Sequence, residues 1–235
     1  MTVLKYSYLV GNLYLLAIWL YFFWKWPNRR IPMLVVGLMF LPVGLGAEYF
    51  WWTIDWWHPQ TITGTRLGIE DAILSFSLPG ISILIYKFFF KKDLEGRFEL
   101  NRKYFLAALH RLAPVALFSF STTAILFYIF HVPSFISTSI GMLVAGIYIL
   151  TFRNDLLPAL LWSALLMVLV SLPIYFLWQA ATPGIIEKFW NLSQMTGYKI
   201  FRIPVEDIIW FALVGFVMGG FVEYAFDYKL TDDKK

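Results

Sequence analysis

Cysteine is absent from the 235 residues, and charge is scarce: Asp, Glu, Lys and Arg together make up 14%. Without a thiol there is no disulfide, iron–sulfur cluster, thiolate zinc site or thiol nucleophile. A soluble domain carries about 25% charged residues, so this chain has roughly half of what a water-facing surface needs. A mean hydropathy of +0.67 excludes a cytosolic enzyme, a disordered regulator and a nucleic-acid binder. The net charge of +4 and pI near 9.2 do not restore that last possibility, because the basic residues sit in short clusters between apolar runs, the pattern of membrane anchoring. No lysine stands at the centre of an apolar run to anchor a retinal Schiff base. Of the three histidines, His58, His110 and His131, no two are spaced to sandwich a haem between helices. There is no G-x-G-x-x-G after a strand pattern and no paired Asp-rich loop to hold a diphosphate through magnesium. No cofactor, metal or nucleic-acid partner is expected.

What is present is apolar: 60% hydrophobic and 20% aromatic residues. A helix needs about 20 mostly apolar residues to cross a bilayer, because backbone groups cannot be left unpaired in hydrocarbon. Seven stretches qualify: 6–24, 31–50, 69–90, 112–130, 135–152, 156–178 and 205–226. The first lacks a small-residue cleavage site and is followed by Lys25, Arg29 and Arg30, so it reads as a retained anchor. With the N-terminus outside, 14 of the 19 Lys and Arg residues fall in cytoplasmic segments, among them Lys87, Arg97, Arg153, Lys234 and Lys235. A multi-pass protein of the cell membrane with a cytoplasmic C-terminus is therefore predicted.

The second and third spans resemble the sixth and seventh. Asn28-Arg29-Arg30-Ile31-Pro32 corresponds to Asn154-Asp155-Leu156-Leu157-Pro158, and Leu41-Pro42 to Leu172-Pro173. Six residues after each proline stand Glu48 and Gln179. Trp56-Trp57 then matches Phe189-Trp190, Thr63-Gly64 matches Thr196-Gly197, and Gly68-Ile69-Glu70-Asp71 matches Pro204-Val205-Glu206-Asp207. The odd fourth span gives both copies the same direction through the membrane. The predicted fold class is all-α: a polytopic membrane helical bundle of seven transmembrane helices in a 3+1+3 parallel internal repeat. The first three-span copy is expected over 1–90, a basic linker and joining span over 91–134, and the second copy over 135–235.

Carboxylates within or beside the spans are Glu48, Asp55, Glu70, Asp71, Glu187, Glu206, Asp207, Glu223 and Asp227. An ionisable group at membrane depth costs about 2.5–3.5 kcal/mol on insertion scales, which makes each a functional candidate. Glu70-Asp71 and Glu206-Asp207 each open a helix, so capping through the helix dipole is one reading. The other is acid–base chemistry, with one acid of each pair facing the bundle centre, since neighbouring helical positions lie about 100° apart. Glu206 shares a face with Trp210 and Asp207 with Phe211, while Asp71 lies near Ser75 and Phe76. Trp51, Trp52, Trp56, Trp57, Trp178, Trp190 and Trp210 crowd the same ends of the spans. They read either as an interfacial belt or as a pocket whose ring faces stabilise a carbocation. The Gly215-x-x-x-Gly219 spacing points to close helix packing.

A polar residue at a span end, a Trp-bearing loop, then Pro-x-Glu-(Glu or Asp) opening a helix resembles the small membrane-embedded lycopene cyclases, whose two three-span subunits act as a heterodimer or are fused. The likeness is carried by Trp56 to Gly64 with Leu67 to Asp71, and by Ile203-Pro204-Val205-Glu206-Asp207. Gly68 replaces the family's proline and Gln179 stands opposite Glu48. The resemblance implies a lycopene cyclase, an isomerase of the intramolecular-lyase type that forms ionone rings, expected to be β, at the ψ-ends of a carotenoid without redox change. It implies Glu70, Asp71, Glu206 and Asp207 as acid–base groups, with Glu48 in support and the Glu206-Asp207 pair doing the chemistry. Trp57, Trp190, Trp210, Phe211 and Phe76 are expected at the substrate. The implied partners are a lipophilic carotenoid and membrane lipid. Alternatives are a hydratase acting on the same cation, or a non-enzymatic carotenoid- or lipid-binding or transport protein on the same scaffold.

Overall fold

The computed structural model describes residues 2–95, 98–99 and 101–232, with side chains from Lys5 onward. Arg97, Lys234 and Lys235 of the charge pattern lie outside the described residues. Among the described residues, seven helices are long and apolar enough to cross a membrane, as the sequence predicts. They are α1 (Thr2–Lys25), α2 (Arg30–Ala47), α3 (Ile69–Phe90), α4 (Arg102–Ala124), α5 (Ser134–Phe152), α6 (Leu157–Ala181) and α7 (Val205–Met218), the last continued by the turns Phe221–Phe226. The protein is a polytopic all-α bundle. Among the described residues, strand is confined to two short antiparallel pairs, β1 (Lys92–Leu94) with β4 (Leu230–Asp232), and β2 (Lys199–Ile200) with β3 (Ile203–Pro204).

The helix boundaries follow local chemistry. Asn101 caps α4 by accepting the Tyr104 amide at 3.0 Å. At α3, Asp71 Oδ2 accepts the Gly68 amide at 2.7 Å. Thus capping and a buried acid role are not exclusive for this residue. Past Ala47, helix α2 widens into a π turn over Glu48–Trp52, which turns Glu48 and Trp52 inward together.

The two copies are related by a pseudo-twofold axis, marked by residues that meet their own counterparts. Trp57 and Trp190 form an antiparallel bridge. His58 N–H donates to Phe189 O at 2.5 Å, and its counterpart Asn191 N–H donates to Trp56 O at 2.8 Å. Gly64 and Gly197 both adopt left-handed φ, of 73° and 79°, which turns the two loops back in the same way. These loops and the buried acids define one end of the bundle, here the acid end. The linker, β1 and β4 define the basic end.

At the basic end, charges expected to anchor the chain at lipid headgroups are used inside the protein. Arg29 is buried and bonds Asp93 Oδ1 at 2.5 Å and Leu94 O at 3.1 Å. Arg153 reaches Asp155, Glu223 O and Tyr228 O. Lys87, placed by sequence among the cytoplasmic charges, is buried in α3 and pairs with buried Glu223 at 2.5 Å. The register that aligns Glu70 with Glu206 also aligns Lys87 with Glu223. This pair therefore closes across the pseudo-twofold axis, with opposite charges at equivalent positions.

α2 packs along α3, and α6 along α7; α1 crosses α3, and α5 crosses α7. α4 lies outside this core against α5. The seam between α6 and α7 is tight because glycine allows it. A Cβ on Gly215 would come within 2.3 Å of the Ser163 carbonyl oxygen, and one on Gly219 within 2.6 Å of the Ser163 side chain. Backbone cannot yield as a side-chain tip can. Gly215→Val is expected to push α7 off α6 and lower the thermal unfolding temperature of the detergent-solubilised protein by several degrees. Gly46→Val, where a Cβ meets open space, should leave it within a degree or two of wild type.

Candidate active site

A chamber opens at the acid end where the two copies meet. Its carboxylates come from different copies: Glu48 from the π turn of α2 and Asp207 from the first turn of α7. Most of the remaining wall is aromatic, with Trp57, Trp190, Trp210 and Phe211 among its members. The rings lock together at the axis. Trp57 and Trp190 lie 5.6 Å apart, and Trp210 meets Phe211 edge-on at 5.1 Å. Such contacts fix ring orientation beyond simple area burial.

Both acids are held in one manner. Trp57 Nε1–H donates to Glu48 Oε2 at 3.1 Å, and its counterpart Trp190 donates to Asp207 Oδ1 at 3.0 Å. The second oxygen of Glu48, Oε1, is buried with no hydrogen-bond partner among the described residues, while Asp207 also interacts with the hydroxyl of Tyr175, another chamber residue. Asp71 sits one layer back. Its Oδ1 accepts the hydroxyl of Tyr8 at 2.6 Å, and Tyr8 lines the chamber.

A family model described as lycopene cyclase matches residues 1–89 and 133–225, most of the chain. The chain belongs to the lycopene cyclase family. No curated protein and no solved structure matches it significantly. The match falls in two segments, consistent with a two-copy lycopene cyclase, and the unmatched stretch between them contains α4.

In this cyclase the acid pairs divide their work by helical position. Glu70 and Glu206 point away from the chamber to the preceding loops. Glu70 Oε1 accepts the Ile62 amide at 2.7 Å, and Glu206 Oε1 accepts both the amide and hydroxyl of Thr196 at 2.6 and 2.7 Å. Glu48 and Asp207 line the chamber, and Asp71 reaches it through Tyr8. Trp57, Trp190, Trp210 and Phe211 are brought together there. Phe76 is not; it packs on Trp19 at 5.0 Å and against Gly37. Glu187 is exposed, and its ion pair with Lys199 at 2.7 Å holds its carboxyl below the ordinary value. Asp55 bonds the amide and hydroxyl of Ser134, tying α2 to α5.

Two chamber tyrosines, Tyr8 and Tyr175, went unnoticed in the sequence. Each is one aromatic among many in an apolar run, and only tertiary contact distinguishes it. The indole bonds also suggest a direct test. Trp190→Phe keeps an aromatic ring but removes the donor to Asp207. With such a bond contributing on the order of 1 kcal/mol, turnover in lycopene-producing cells should fall about five- to tenfold.

Proposed function

We propose that this lycopene cyclase closes β-ionone rings at the ψ-ends of an acyclic carotenoid, as an intramolecular lyase with no net redox change. A carboxylic acid adds a proton at C2 of the end group and leaves a cation at C1. The C5=C6 π electrons attack C1, forming the C1–C6 bond and moving the cation to C5. A carboxylate then removes the C6 proton, and its bonding pair restores C5=C6. Loss of a proton from C4 would give an ε ring, and loss from the C5 methyl a γ ring. One proton enters and one leaves, so the atoms balance.

Glu48 and Asp207 carry the proton transfers in this reading, and Asp71 with Tyr8 is a positioning pair. Trp57, Trp190, Trp210 and Phe211 present ring faces to the cation. They also keep out water, which would trap the cation as an alcohol. Glu70 and Glu206 hold the loops that carry the indoles. The observation that carries the reading is the pair of carboxyls, one from each copy, each held by an indole N–H inside one aromatic chamber. The basic linker supports an orientation with the acid end outside and the C-terminus in the cytoplasm.

The test is expression in lycopene-accumulating cells followed by pigment chromatography. Carotenoids with β rings and the mass of lycopene are expected. Unchanged lycopene overturns the reading, ε or γ rings overturn the assignment of the C6 proton, and a tertiary alcohol points to a hydratase.

A further inference from the structure

The pseudo-twofold axis is broken at one place. On one side of it α3 packs directly on α6. The equivalent pair, α7 and α2, stays apart, and an apolar groove of about 270 Å³ lies between them. Gly44 and Ser75 line this groove, and by the repeat register their counterparts in the second copy are the larger Tyr175 and Phe211, whose rings lie 6.3 Å apart.

The outer wall of the groove is α4, the helix outside both family-matched segments. It contributes Leu112, Val115, Ala116, Ser119, Phe120 and Thr123. These span 12 residues, about 17 Å of helix at a rise of about 1.5 Å per step, which is more than half of a hydrocarbon core about 30 Å thick. α4 is seated on α5 through Gly141, where a Cβ would come within 2.3 Å of Thr123 Oγ1. It meets the π turn of α2 only toward the acid end, where Trp51 stacks on Phe120 and Tyr128 donates to Phe50 O at 2.9 Å. Hydroxyls in the groove are partly spent locally: Thr123 donates to Ser119 O at 3.0 Å and Thr138 to Ser134 O at 2.8 Å.

The groove abuts the acid chamber. Trp52, Leu74 and Trp210 line both. Trp52 and Trp210 meet edge-on at 5.3 Å and form the partition. Trp52 is pinned by a bond from Nε1 to Thr138 Oγ1 at 3.3 Å, whereas Trp210 Nε1 has no hydrogen-bond partner among the described residues. Trp210 is instead held by ring packing alone, against Trp52, Trp56 and Phe211.

We propose that the groove seats the polyene chain of the carotenoid while its end group lies in the acid chamber, and that α4 sets which chains are admitted. This rests on the cyclase reading above. The occupant follows from continuity with the chamber, from the groove's length and from its apolar walls, which offer a polyene dispersion contacts and no charge to pair with a headgroup. A single groove admits one chain, so the two ends of a substrate are cyclised in separate binding events.

The experiment uses the full chain in lycopene-producing cells and purified in detergent, with lycopene as the probe. Ala116→Trp and Ser119→Trp place an indole in the groove from its peripheral wall. Each should lower ring formation at least tenfold while protein level and thermal unfolding stay near wild type. A gentler variant guards against misfolding. Ala116→Cys introduces the single thiol of a chain without cysteine, and alkylation with a bulky methanethiosulfonate should lower its ring formation at least tenfold below that of the same variant left untreated. Lycopene should slow that alkylation and leave alkylation of lipid-facing Leu161→Cys unchanged. Wild-type cyclisation by both Trp variants, or unimpeded activity of alkylated Ala116→Cys, overturns the groove and leaves the cyclase reading standing. Failure of the cyclase reading is separable. If wild type forms no ring, lycopene should still copurify with Asp207→Asn, and its loss in Asp207→Asn/Ala116→Trp supports the groove, whereas its retention overturns it.

Discussion

Asp207→Asn and Glu48→Gln should each reduce ring formation at least a hundredfold in lycopene-producing cells, while Glu206→Gln and Glu70→Gln should cost less than tenfold. The contrast follows from where each carboxyl points. Asp207 and Glu48 lie in the chamber, each with one oxygen anchored by an indole. The amides keep shape and still accept the indole N–H, but they cannot deliver or take up a proton. Positioned acid–base groups contribute about 10²–10⁴-fold, which sets the expected loss. Glu206 and Glu70 accept backbone N–H groups of the loops, a task the amide oxygen of Gln performs as well. Pigment chromatography normalised to protein level measures all four. Wild-type activity in Asp207→Asn beside a dead Glu206→Gln would reverse the assignment and make Glu206 the acid.

The second large effect is on stability. Lys87→Met should strip Glu223 of its ion-pair partner inside the bundle, and Glu223→Leu should do the same to Lys87. Breaking one side of a buried ion pair costs about 3–5 kcal/mol, because a charge remains desolvated and uncompensated. Each single variant should therefore unfold many degrees earlier in detergent. The double variant Lys87→Met/Glu223→Leu should recover most of the loss, since a buried pair exchanged for apolar side chains is often neutral or better. The charge reversal Lys87→Glu/Glu223→Lys should also recover, because the two positions are equivalent about the axis. Double variants no more stable than the singles would show that the pair is not what joins the copies there.

The repeat was legible because six short correspondences recur in order, and the same register carries further than the acids. It also pairs Lys87 with Glu223, a relation visible in the sequence only once Lys87 is followed into the helix instead of being counted with the loop charges. The roles within each Glu-Asp pair were half legible. A turn of about 100° between neighbours says that the two acids diverge, but not which faces inward. The loops decided that, by offering backbone N–H groups to Glu70 and Glu206. Phe76 fell near Asp71 in helical spacing, yet α3 turns it toward Trp19.

By itself the sequence determined the seven spans, the doubling and the residue types available for chemistry, because hydrocarbon leaves the backbone no choice but helix and makes every retained acid conspicuous. Only the tertiary structure decided that Glu48 of one copy and Asp207 of the other share a chamber, and that an apolar groove opens beside Gly44 and Ser75. The physical reason is range. Apolar periodicity is a property of each helix alone, whereas which side chains meet depends on how helices distant in sequence pack across the axis.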